Sequence, residues 1–286
     1  MRFFRRAVAA TLALILAAPA VATPALWKFG DADTTIYLFG TIHALPEGFA
    51  WRDRQIETLI ERADTLVTET KIDDNPATIA ALFPPPDPTL PPIADRVPAK
   101  SRQPLIDLIG KAGLPMAALD QMPTWQAAFQ MMGAMMRDLG AERGAGVEQV
   151  LTPRFAGNDK KIEALETASQ QLALFAGLSE ADQREFLASI VDGRGEAKKD
   201  YARMLRAWGK GDDKAIAAAF DKDEDMTPHL RDILIKQRNA AWTTWLKARL
   251  GTPGTVFVAV GAGHLAGPLS VQKMLADQGV KVERVR

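Results

Sequence analysis

The chain has 286 residues, with 35 basic and 35 acidic side chains, three histidines and no cysteine. Without cysteine there can be no disulfide framework, no thiolate metal site and no lipid-modified N-terminal cysteine. The balanced charge gives no basic surplus to argue for nucleic acid or an anionic membrane surface, and a chain of this length buries enough core to need no covalent staples.

The first segment, MRFFRRAVAATLALILAAPAVA, has the order of a secretory signal peptide: Arg2, Arg5 and Arg6, an apolar run from Ala7 to Ala18, then small residues Ala20 and Ala22. Cleavage is expected after Ala22, which would place the mature chain in the periplasm or outside the cell. The apolar run is shorter than a comfortable membrane span, so no stable span is expected once it is removed. Residues 23–286 are expected to form a single domain.

Next, ALWKFGDADTTIYLFGT reads as two short strands around a Gly/Asp turn, a hairpin leading straight to His43. FAWRDRQIETLIERADTLVTET then gives an amphipathic helix, with Ile56, Leu59, Ile60 and Ala63 on one face, followed by a strand that ends near Glu69. Such strand–helix–strand units build parallel sheets. The proline-dense segment 83–98 excludes regular helix or an inner strand and is expected to be an ordered surface connection. From 100 to 250 the pattern is mainly helical. Met131, Met132, Met135 and Met136 fall at helical spacing, which suits core filling. Within this region KKIEALET reads as a short strand ending near Glu166. HLRDILIKQRNAAWTTWLKARL reads as one helix, with His229 at its exposed start. The chain closes with the apolar strand TVFVAVG, a helix and the edge strand VKVERV.

Two corners share one pattern: IYLFGTIH ends at His43 and VFVAVGAGH at His264, each an apolar strand followed by Gly-x-x-His. Gly40 and Gly261 allow a turn and a close approach of the backbone to a bound group. If the two strands are parallel neighbours, both histidines emerge at one carboxyl edge of the sheet, where open α/β sheets place their sites. Glu69 and Glu166 follow two further strand candidates and could join them. Two imidazoles and a carboxylate suit a divalent metal acting as a Lewis acid on water, with Glu166 or Glu148 available as general base. No HExxH, cysteine-based or EF-hand pattern is present. Arg238 and Asn239 interrupt apolar rows of their helix. Either Arg238 packs its stem and turns its head to solvent, or the pair faces the site, where Arg238 would stabilise an oxyanion or bind a carboxylate.

Taken together, LWKF…IYLFGTIH, LVTE, GVE at 146–148, ALET…QLALFAGL, the Arg238–Asn239 pair and FVAVGAGHLAGP resemble the TraB/GumN family, which is related to the Tiki-type metalloproteases. The resemblance implies an α/β fold, a mixed and mainly parallel central sheet with an inserted helical region. It also implies one site formed by His43, Glu69, Arg238, Asn239 and His264. The animal relatives imply a divalent ion, Mn2+ or Co2+, that supports cleavage of peptide bonds; the expectation for this chain is Mn2+, Co2+ or Zn2+ held by His43, His264 and Glu69, acting on a peptide or another small substrate. GumN-like members imply a link to polysaccharide genes. Haem-binding relatives in the wider superfamily imply the competing expectation, a periplasmic protein that binds haem or a peptide and performs no chemistry.

Overall fold

The computed structural model describes residues 22–71, 76–221 and 227–286, so the signal-peptide reading of residues 1–21 lies outside the described residues. The hairpin forms as the sequence implies: β1 (Leu26–Gly30) and β2 (Thr34–Thr41) pair antiparallel, Leu26 opposite Phe39. Asp31 closes the turn by accepting from the Thr34 N–H at 2.9 Å. Helix α1 (Arg54–Arg62) starts where Asp53 caps the Ile56 N–H, buries Ile56 and Ile60, and delivers the chain to β3 (Thr65–Thr70).

The central region is helical: α2 (Ala99–Lys111), α3 (Thr124–Asp138) and α4 (Val147–Ala156). Strand β4 (Lys161–Glu166) interrupts it, followed by α5 (Ala168–Ala176), α6 (Glu180–Asp192) and α7 (Ala197–Gly209). After these come α8 (Arg238–Arg249), β5 (Gly254–Gly261), α9 (Val271–Asp277) and β6 (Glu283–Arg284).

The six strands form one sheet in the order β4-β3-β5-β2-β1-β6. The β2/β5, β3/β5 and β3/β4 pairs are parallel, and β1 is antiparallel to both β2 and β6. This is the mixed, mainly parallel α/β sheet that the sequence implies. Its inner strands are apolar on both faces because each face is covered. Phe39, Leu66, Phe257 and Ala259 pack with Ile56, Ile60, Leu151, Phe155 and Trp208 on one side. Ile36, Leu38, Val67, Val256, Val258 and Val260 pack with Trp242, Leu246, Val271 and Leu275 on the other. Each large apolar side chain so buried contributes about 1.5–3 kcal/mol.

The inserted helices have a core of their own, built on Leu105, Leu108, Leu119, Met131, Leu187 and Val191. Met131 is buried there, and Met132 and Met135 pack against it, which is the core-filling role. The proline-rich connection ends in a 3-10 turn, Ile93–Arg96. Arg96 is buried and pins that turn by donating to the Pro91 carbonyl at 2.8 Å, the Met122 carbonyl at 2.6 Å and the Asp120 carbonyl. The helix expected from His229 onward is in three parts: a short turn (Pro228–Arg231), a π-helical segment (Asp232–Gln237), then α8. His229 lies exposed at its start. Among the described residues no helix is long and apolar enough to cross a membrane.

Candidate functional site

Parallel pairing of β2 with β5 sets Thr41 opposite Gly261, so the segments carrying His43 and His264 leave the sheet side by side at its carboxyl edge. His43 lies two residues beyond β2, and His264 sits in the 3-10 turn Ala262–Leu265 after β5. Glu69 comes from the end of β3 and Glu166 from the end of β4. The first turn of α4 supplies Glu148, and the start of α8 supplies Arg238 and Asn239. Every site residue proposed from sequence therefore converges on one edge, apart from Gly40, which faces inward. A Cβ on Gly40 would come within 3.2 Å of the Ala262 backbone, and its carbonyl accepts from Trp208 Nε1 at 2.8 Å.

Arg238 is the hub. Its Nε donates to Glu166 Oε1 at 2.9 Å, and its Nη2 to Glu69 Oε2 at 2.6 Å and Glu166 Oε2 at 3.0 Å. Its Nη1 reaches the Leu234 carbonyl at 3.2 Å and His264 Nε2 at 3.0 Å. Trp242 lies beneath the guanidinium, 4.7 Å from ring centre to Cζ, and donates from Nε1 to Glu166 Oε1 at 2.8 Å. All N–H groups of Arg238 thus have acceptors, so it holds the carboxylates in place and has no donor left for an oxyanion. Glu166, gripped by Arg238 and Trp242, anchors the arginine.

The two histidines are fixed alike and exposed differently. Asn239 gives both amide protons to carbonyls, His264 O at 3.2 Å and Leu269 O at 2.7 Å. Its Oδ1 must therefore accept from His264 Nδ1 at 2.7 Å, which leaves Nε2 as that ring's acceptor. His43 Nδ1 donates to Glu148 Oε1 at 2.9 Å, and the Thr41 hydroxyl donates to the same oxygen. Both Nε2 atoms then lie 3.8 Å from one atom, Glu69 Oε1. That oxygen also accepts from the Gly261 N–H at 2.7 Å. A Cβ at Gly261 would sit 3.1 Å from Glu69 Oε1 and 3.4 Å from His43 Nε2, so glycine keeps the centre of the cluster open. The His264 side chain is 7% exposed and that of His43 60%.

Burial works to raise the Glu69 pKa, but His264, Arg238, His43 and the Gly261 N–H bring it down to about 2. For His264 burial dominates and lowers its pKa to about 3; Arg238 and His43 act in the same direction, against the pull of Glu69. Burial opposes the charge of Arg238, yet Glu166 and Glu69 lift its pKa above the ordinary value. At neutral pH the floor of the site is an ionised Glu69, a cationic Arg238 and a neutral His264.

The TraB/PrgY/gumN family model matches residues 25–284, nearly the whole described chain. The chain belongs to the TraB/PrgY/gumN family. This family member is 24% identical over 242 residues to the uncharacterized protein YbaP of Escherichia coli K12, covering 84% of this chain and 87% of that one. The same figures relate it to YbaP of Shigella flexneri. No solved structure matches.

The family resemblance implies a divalent ion, and the donor chemistry of this TraB-family chain fits one: two imidazoles, each held through Nδ1, and an ionised carboxylate. Metal-ligating histidines are commonly oriented by such a partner on the other ring nitrogen. The spacing is looser than the chemistry. Among the described residues no three His, Asp or Glu side chains stand ready to hold an ion, and the Arg238 Nη1 proton lies on the His264 Nε2 lone pair. Loading would require the Arg238–His264 hydrogen bond to be given up and the His43, His264 and Glu69 side chains to draw together from their present spacing.

Two participants escaped the sequence reading. Gln171 of α5 donates to Glu69 Oε2 at 3.3 Å, and Trp242 grips both Arg238 and Glu166. The capping box that starts α5, Thr167 with Gln170, is legible as T-x-x-Q and could have placed Gln171 in a first turn beside Glu166. Nothing in the spacing marks Trp242, which reads as an ordinary apolar helix position.

Proposed function

We propose that this TraB-family chain is an exported, metal-dependent hydrolase of peptide bonds. The observation that carries the reading is the paired clamp: Asn239 on His264 and Glu148 on His43 hold both Nδ1 protons and turn both Nε2 atoms toward Glu69 Oε1. His43, His264 and Glu69 would hold the ion. When bound, a divalent cation acts as a Lewis acid on a scissile carbonyl and lowers the pKa of water. The chain's own residues set the stage for that chemistry. Glu148 keeps the proton of His43 on Nδ1, so that ring keeps its Nε2 lone pair turned toward Glu69 Oε1, where the ion would sit. Asn239 does the same for the buried His264. Arg238 balances the carboxylates of Glu69 and Glu166 and keeps Glu69 ionised. The exported location rests on the order of basic, apolar and small residues in segment 2–22.

Purified mature chain titrated with Mn2+ or Co2+ is expected to bind one ion, and His43→Ala and His264→Ala to bind it at least tenfold more weakly. Digestion of a peptide library, followed by mass spectrometry, should show cleavage by the loaded wild type and none by the variants. Equal metal content in all three proteins would overturn the metal reading. Undigested peptides with metal bound would overturn the hydrolase.

A further inference from the structure

Helix α5 has the sequence ASQQLALFA, with five consecutive apolar residues from Leu172 to Ala176 and no charge, yet none of its residues is buried. An apolar helix is ordinarily buried against a core. This one leaves its side chains half covered beside the reaction site, because Gln171 in its first turn reaches Glu69 Oε2. Phe175 is one turn beyond Gln171, on the same side of the helix and about 6 Å along its axis. Its ring meets Phe129 of α3 edge to face, with centroids 4.6 Å apart, and both rings remain partly accessible. On the side of Arg238, the π-helical segment repeats the theme: Ile233, Leu234 and Ile235 are all incompletely buried, and the Leu234 carbonyl holds Arg238 Nη1. Two apolar stretches, Leu172–Ala176 and Ile233–Ile235, thus flank the Arg238–Glu69 pair, each in an element joined to it by a hydrogen bond.

We propose that Phe175 and Phe129 form a specificity subsite that takes a bulky apolar side chain of the peptide substrate, close to the bond cleaved. The proposal rests on the peptide-hydrolase reading for its occupant. A charged side chain would find no counter-charge on α5, whereas an aliphatic or aromatic one completes the burial of two aromatic rings. In an apolar site one methylene alone is worth roughly 10- to 200-fold in discrimination.

The test measures binding and cleavage separately. Fluorescent peptides that differ only by Leu, Phe, Ser or Asp at one position are titrated by anisotropy against His43→Ala protein, and their cleavage rates are measured with wild type. The Leu and Phe peptides are expected to bind at least tenfold more tightly than Ser or Asp. Adding Phe175→Ser should shrink that preference to within about threefold, whereas Phe175→Leu should keep it, and circular dichroism should show both variants folded. Equal affinities for all four peptides, no binding of any, or a preference untouched by Phe175→Ser would overturn the subsite. If Phe175→Ser fails to fold, the wild-type preference and its retention in Phe175→Leu and loss in Phe129→Ser decide in its place. Preferential binding without cleavage would leave the subsite standing and remove the hydrolase reading; cleavage without preference would do the reverse.

Discussion

A guanidinium with every N–H group engaged is a fixed charge, and Arg238 is one: four acceptor groups hold it over the Trp242 ring. Its neighbour His264 bears the consequence. In the metal-free protein this ring stays neutral down to a pKa of about 3, against 6.5 when exposed. The unfolded chain therefore binds a proton there first as the pH falls. The stability contributed is complete above pH 6.5 and is lost as the pH drops from 6.5 toward 3. Denaturant unfolding of metal-free protein should show a decline on the order of 3–5 kcal/mol across that window, and His264→Asn should flatten the curve above about pH 4.5. A wild-type profile level from pH 7 to pH 4 would contradict the assignment. Glu69 acts in a lower window, with its share lost only between its ordinary 4.5 and about 2.

At the scale of elements, the segment from β4 to α5 carries two site contacts within six residues, Glu166 and Gln171. What fixes the second is the capping box: the Gln170 N–H donates to Thr167 Oγ1 at 3.1 Å, and the Gln170 side chain accepts from the Thr167 N–H at 2.8 Å. Thr167→Ala should cost about 1 kcal/mol, read from the urea midpoint, and Thr167→Ser should restore it. The π-helical segment matters in the same way. A π turn shifts the register of the side chains that follow it. Here it precedes two successive residues, Arg238 and Asn239, that meet opposite ring nitrogens of the same His264. The sequence pattern of this region matches one continuous helix, because a single widened turn leaves the apolar spacing almost unchanged.

At the scale of the molecule, the described residues form three apolar cores, one on each face of the sheet and one within the inserted helices. The helical core shares no buried residue with the other two, so α2, α3 and α6 can open without unpairing β2 from β5. Hydrogen exchange should find amides of those helices opening at a lower free energy than amides of β2 and β5. A single common value would show that the insertion and the sheet unfold as one unit. Because α5 ties the insertion to Glu69, ligand bound at the Phe175–Phe129 wall should raise protection in both regions together.

The sequence by itself determined the hairpin, the strand–helix–strand unit, the buried apolar strand β5 and the matching histidine corners. These follow from local periodicity and from glycine at a strand end, which are written in consecutive residues. The histidines and carboxylates were legible as candidates because each sits at the end of an element, and the Arg238–Asn239 pair because it interrupts the apolar rows of its helix. Only the tertiary structure decided how they are joined: that Arg238 faces the site with every donor engaged, that Glu148 orients His43, that Glu166 anchors Arg238, and that Gln171 and Trp242 belong to the cluster at all. These contacts link residues as many as 169 positions apart, such as Glu69 and Arg238. Which partner satisfies a buried donor is fixed by the order of strands in the sheet and the register of the helix that precedes it, and neither is recorded in local sequence.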